Sequence, residues 1–158
     1  MIRTEIAHTL VKDCMSVFLI TLQPYDTLST ALELMTTKKI RRITVVENER
    51  VTGIITWTDV LALKQPDPTH RQSVDEFASR LREITVGTVM TTDPMTVYQS
   101  DSVGHAAELM LENKIGGLPV VDSDSKLVGL VTESNLFRLI AKRWRQDNEL
   151  FSGAKLPA

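Results

Sequence analysis

The chain has a single cysteine, Cys14, so no intrachain disulfide can brace it and nothing points to an oxidising compartment. The stretch Val11-Lys12-Asp13-Cys14-Met15 makes that thiol read as a small buried hydrophobe. Aromatic residues are scarce at 5%, so the 42% of hydrophobic residues must pack mainly through aliphatic side chains. No apolar run approaches the ~20 residues of a membrane span, and Met1-Ile2-Arg3-Thr4-Glu5 carries no apolar signal core. The expectation is a cytoplasmic protein with no membrane partner. Neither charge sign dominates, with 18 Lys and Arg against 20 Asp and Glu for a net charge of -2. That balance argues against a nucleic-acid partner, whose phosphates need a basic face, but leaves room for a local pocket holding one small anion. There is no Walker loop, dinucleotide-binding glycine fingerprint or nucleophile elbow, and His8, His70 and His105 lack metal-ligand spacing. The absences point away from an enzyme, a catalytic cofactor and a metal site.

What is present is a repeat. At 158 residues the chain suits either one domain or two small modules sharing a core. Shifted by 75 positions, Met15 falls on Met90, Thr21 on Thr96 and Asp26 on Asp101. Ala31, Glu33, Leu34 and Met35 fall on Ala106, Glu108, Leu109 and Met110, and Val45-Val46 on Val120-Val121. One extra residue in the second turn moves the offset to 76, and Gly53 then meets Gly129 and Thr56 meets Thr132.

Each copy reads alike. Asp26 is placed to cap a helix, and Asp101 repeats the arrangement. Leu28, Ala31, Leu32 and Met35 form an i, i+3, i+4, i+7 stripe, as do Val103, Ala106, Ala107 and Met110. A hairpin follows, Ile43–Val46 with Val51–Thr56 in the first copy and Leu118–Val121 with Leu127–Thr132 in the second. A closing helix is expected from about Thr58 to Leu63 and from about Ser134 to Arg145. Pro66 and Pro68 break the chain between copies, and Val74, Phe77, Ala78 and Leu81 predict one connecting helix. The expected divisions are 1–64 for the first repeat with an N-terminal segment, 65–85 for the linker, 86–145 for the second repeat and 146–158 for a frayed tail.

The motifs Val86-Gly87-Thr88-Val89-Met90-Thr91, Lys114-Ile115-Gly116-Gly117-Leu118-Pro119-Val120-Val121-Asp122 and Gly53-Ile54-Ile55-Thr56-Trp57-Thr58-Asp59 resemble those of the cystathionine β-synthase (CBS) domain family. The likeness runs from about residue 10 to 142, and the arrangement is similar to stand-alone two-CBS proteins of the acetoin-utilisation type. The resemblance implies an α/β (α+β) fold of two β-α-β-β-α repeats packed as a pseudo-two-fold pair, with two clefts between them. It also implies a homodimer that binds an adenine nucleotide, AMP first with ADP or ATP as alternatives, and signals to a regulated protein the sequence does not name. A rival reading is a dimerisation or scaffold module that binds no ligand.

The family's motif of glycine, apolar residues, Thr or Ser, two residues and Asp falls on Thr56 and Asp59. A carboxylate can accept from both ribose hydroxyls, and a threonine hydroxyl suits a phosphate. The alternative is that Thr56 merely ends a strand and Asp59 complements a helix dipole. Arg41 and Arg42 stand where basic residues reach phosphates in nucleotide-binding relatives, or else are solvated residues leading into a strand. Strand alternation puts them on opposite faces, so only one of them serves. The second copy keeps Thr132 but has Asn135 in place of Asp59, and Gly116 and Gly117 in place of the arginines. Its site is expected to be the weaker. Trp57 covers a ligand, lines a dimer contact or packs into its module, and Trp144 with Phe137, Ile140 and Ala141 forms a helical stripe suited to core or interface.

Overall fold

A computed structural model describes Ile6, residues 8–64 and residues 73–152, with side chains through Asn148. The proline pair, His70 and the tail from Gly153 onward lie outside the described residues. Contacts divide the chain into two compact units, one holding Leu19–Met95 and Asp124–Leu127, the other Met1–Phe18, Thr96–Ser123 and Val128–Ala158.

The first of these units opens with β1 (Thr21–Leu22), α1 (Leu28–Lys38), β2 (Arg42–Glu47), β3 (Arg50–Thr56) and α2 (Trp57–Ala62). It continues with α3 (Val74–Glu83), the expected connecting helix, and β4 (Thr91–Thr92). The sheet order is β1-β2-β3-β4; β1 runs parallel to β2, and the other neighbours are antiparallel. Asn48 and Glu49 both take positive φ, which is how a two-residue turn matches the twist of strands β2 and β3. Leu28, Ala31 and Met35 of the α1 stripe are buried and meet Ile43, Val45 and Ile55 from the sheet, with Trp57 and Phe77 packed at the edge. Leu81 of α3 joins that core.

The other unit repeats the plan with β5 (Val97–Tyr98), α4 (Val103–Asn113), β6 (Gly117–Val121), β7 (Leu127–Thr132) and α5 (Glu133–Ser152). Val103, Ala106 and Met110 are buried. The core joins Val97, Ala106 and Met110 to Leu118, Val120 and Val131, with Val11 from the chain's start. Cys14 lines this core half-buried, its Sγ–H directed at the Val11 carbonyl (3.6 Å), and burial followed by the Asp13 charge pushes its thiol pKa up.

The repeats exchange their leading segments. Ser16 forms an antiparallel bridge with Leu130 beside β7, taking the place β4 holds beside β3, where Thr91 pairs with Ile54. Likewise Val11 N–H donates to Asp101 O (2.8 Å) in one unit, and Val86 N–H to Asp26 O (2.7 Å) in the other. The sulfur of Met15 lies over Gly129 and that of Met90 over Gly53, each filling the space a Cβ would need. So the leading residues of the first repeat complete the unit of the second, and the leading residues of the second complete the unit of the first.

Three local expectations change. Asp26 and Asp101 do not cap the helices; their carboxylates accept the backbone N–H of Gln23 (2.7 Å) and Tyr98 (2.8 Å) in the preceding turns. Thr27 and Ser102, one residue later, cap instead by accepting from the N–H of Thr30 and His105. Each helix starts one residue later than expected, so the residue at the extended N-cap position supplies the oxygen. Finally, α5 runs through Ser152 rather than ending near Arg145, because no Gly or Pro interrupts residues 146–152.

Candidate functional site

The hairpin register brings four of the named residues together. Arg42 opens β2 directly opposite Thr56, the last residue of β3, and the Trp57 N–H donates to the Arg41 carbonyl at 2.8 Å. Both arginines therefore stand at the mouth of α2, Arg41 exposed and Arg42 half-buried. Asp59 sits one turn into the helix and folds back on Thr56. Its Oδ2 accepts the Thr56 N–H at 2.8 Å and the Thr56 hydroxyl at 2.6 Å, while the Asp59 N–H donates to Thr56 Oγ1 at 3.3 Å. This reciprocal cap satisfies the donors that begin a six-residue helix too short to hold itself.

Two consequences follow for the chemistry. The Thr56 hydroxyl hydrogen is directed at Asp59, so threonine aims the carboxylate. The other carboxylate oxygen, Oδ1, takes no hydrogen bond from the described residues. Asp59 thus acts as a structural cap through one oxygen and leaves the other unbonded among the described residues, so the cap does not by itself use up the carboxylate.

The second repeat copies the cap with a neutral partner. Asn135 Oδ1 accepts the Thr132 N–H at 2.9 Å and the Thr132 hydroxyl at 2.7 Å, and the Asn135 N–H points at Thr132 Oγ1 at 3.4 Å. The Glu133 N–H donates to the Gly116 carbonyl at 3.2 Å, matching the Trp57 to Arg41 bond, so Gly116 and Gly117 do hold the arginines' places. Asn135 is buried at 7% exposure, and its Nδ2 donates to Ser16 Oγ at 3.2 Å. Ser16 was not singled out by sequence reading, although the 75-residue register sets it on Thr91, within the motif quoted above. Thr44 was also passed over. It is enclosed at 2% exposure and shares a strand face with Arg42, two residues before it.

Of the remaining candidates, Trp57 packs half-buried on the core, and His8 and His105 are exposed. Among the described residues no group of His, Cys, Asp or Glu is arranged to hold a metal ion, and no helix is long and apolar enough to cross a membrane. The α5 stripe is uncovered, with Phe137 68%, Ile140 50% and Trp144 66% exposed.

Comparison with known proteins places this geometry. The chain is 37% identical over 134 residues to a CBS domain-containing protein of Dictyostelium discoideum, covering 84% of this chain and 92% of that one. It is 33% identical over 133 residues to the chloroplastic protein CBSX2 of Arabidopsis thaliana, of which it spans 56%. The crystal structure of CBSX2 superposes with a TM-score of 0.75 over 86% of this chain and 96% of that one, and a second crystal structure of CBSX2 is a complex with AMP (TM-score 0.71). A Vibrio cholerae protein ascribed to acetoin utilization (AcuB) superposes with a TM-score of 0.72 at 29% identity, over 94% of this chain and 98% of that one. The profile of the CBS domain matches residues 11–65 and again residues 86–142. With both halves of the repeat matched and the paired α/β units observed, the chain belongs to the CBS domain family as a tandem pair.

Proposed function

We propose that this protein is a regulatory module that binds an adenine nucleotide, with AMP preferred over ADP or ATP, through Asp59 and Arg41 or Arg42 of the first repeat. The observation that carries the reading is the open Oδ1 of Asp59, held in place by Thr56 at 2.6 Å beside two arginines. One carboxylate oxygen can accept both hydroxyls of a ribose, and a guanidinium can pair with phosphate. The AMP complex of CBSX2 supports the choice of ligand. The second repeat, with Thr132, Asn135, Gly116 and Gly117 in those places, offers neither a free carboxylate nor a cation and binds more weakly.

The bound nucleotide acts by favouring one of two states presented to a regulated protein, which requires different affinities for them. No residue is assigned a catalytic role. The module is also proposed to form a homodimer through the exposed Phe137, Ile140 and Trp144 of α5, a face too apolar to be left in water. That face is what favours the second reading, a dimerisation scaffold without a ligand. Thermal unfolding with each nucleotide separates the two. A ligand at a hundred times its Kd should stabilise the fold by ~2.7 kcal/mol. Mass spectrometry of material released from the purified protein by heat then identifies what it carries. No shift with AMP, ADP or ATP, and no nucleotide released, would leave the scaffold reading standing.

A further inference from the structure

Within the second-repeat unit Asn135 holds the place that Asp59 has in the first, and its surroundings differ by a contact with Ser16. The Thr132 N–H can only donate, so the amide atom 2.9 Å from it is the oxygen of Asn135, and the nitrogen must face the other way. There it meets Ser16 Oγ at 3.2 Å, a contact between residues 119 positions apart. In the first-repeat unit the counterpart of Ser16 is Thr91, an exposed β4 residue whose side chain makes no hydrogen bond to Asp59. One unit therefore closes the outer side of the capping residue with a hydroxyl from the leading segment, and the other leaves it open.

We propose that Ser16 and Asn135 together determine ligand specificity at the second repeat, with Ser16 occupying the side of residue 135 that at Asp59 is open to a ribose. This rests on the proposed role of Asp59. A serine hydroxyl both donates and accepts, so it satisfies Asn135 by accepting from Nδ2 and would satisfy an aspartate there by donating to it. Substituting Asn135→Asp alone therefore supplies a carboxylate whose outer oxygen is already engaged, by a bond stronger than the one it replaces. Removing the hydroxyl as well opens that oxygen. Ser16 holds the strand edge through its backbone, with N–H to Leu130 O at 2.9 Å and O from Leu130 N–H at 3.0 Å, so that edge does not depend on its side chain.

Adenosine is the probe, since Gly116 and Gly117 offer no side chain to a phosphate. Full-length protein carrying Asp59→Asn, to silence the first site, is titrated calorimetrically with and without Asn135→Asp, and with Asn135→Asp combined with Ser16→Ala. The combined variant should bind adenosine at least ten-fold more tightly than Asn135→Asp alone, and Ser16→Gly should reproduce the gain if alanine disturbs the strand edge. Equal affinity with and without the Ser16 hydroxyl overturns the proposal, as does an Asn135→Asp variant that already matches the wild-type first site. Wild-type protein titrated in parallel separates the two failures. If its first site binds adenosine and the combined variant does not, the Ser16 proposal alone falls; if wild type does not bind, the assignment of Asp59 falls and takes this proposal with it.

Discussion

Asp59 can be tested with the protein's own second repeat as the control. Asp59→Ala removes the acceptor for both the Thr56 N–H and the Thr56 hydroxyl, so the reciprocal half of the cap is lost while Thr56 Oγ1 still accepts from the residue 59 N–H. A hydrogen bond of this kind contributes ~0.5–1.5 kcal/mol net. For a chain of this size ~1 kcal/mol lowers Tm by about 2–4 °C. Asp59→Asn behaves differently, because Asn135 shows that an amide oxygen makes the same two bonds, at 2.9 and 2.7 Å. Asparagine should therefore keep the Tm within about 1 °C of wild type. It nevertheless replaces the open carboxylate oxygen with a donor nitrogen and removes the charge. Hydrogen bonds to a charged group contribute ~1.5–3 kcal/mol, so AMP affinity should fall by about ten- to 150-fold in both variants. Differential scanning calorimetry without ligand and isothermal titration with AMP read the two effects separately. An asparagine variant as unstable as the alanine variant would refute the cap argument. One that binds AMP as wild type does would refute the site.

A Cβ added at Gly53 would overlap Met90 Sδ and lie 2.9 Å from Met90 Cγ, so Gly53→Ala should destabilise by ~1–3 kcal/mol in urea denaturation. Combining it with Met90→Ala should cost less than the sum of the two single changes, and strict additivity would refute the contact. Trp144→Glu should convert the proposed dimer to a monomer by light scattering at micromolar concentration, while a wild-type monomer would refute the interface. The raised thiol pKa of Cys14 predicts slow modification by a thiol reagent at neutral pH, with a rate that climbs as pH rises toward the thiol's pKa. Reaction as fast as that of free cysteine at pH 7 would contradict its burial.

The repeat and the apolar stripes made the helices, the hairpins and the core legible, because one side chain every three or four residues must face the sheet. Leu28, Ala31 and Met35 are buried as that spacing requires. Thr56 and Asp59 were legible as a pair, but their mutual cap was not, since spacing alone cannot say whether a carboxylate points at its own helix or at a ligand. The helix starts were read one residue early because Asp26 and Thr27 both offer a capping oxygen, and only the backbone angles decide between them. Ser16 escaped notice for a different reason. Its partner Asn135 is 119 positions away, and no local pattern announces a contact of that range.

The exchange of leading segments has a consequence for synthesis of the chain. Residues 19–95 leave the ribosome as one stretch and can complete their sheet once Thr91 and Thr92 appear. Ser16 is made earlier than all of them, yet its place beside β7 does not exist until Leu130 has been added. At ~5–20 residues per second that interval is roughly 6 to 23 s. During it the nascent chain carries Val11, Cys14 and Met15 with no core to enter, while the unit encoded after them folds first. An apolar segment translated ahead of the first unit is buried after it, and chaperone contact with the growing polypeptide should concentrate there.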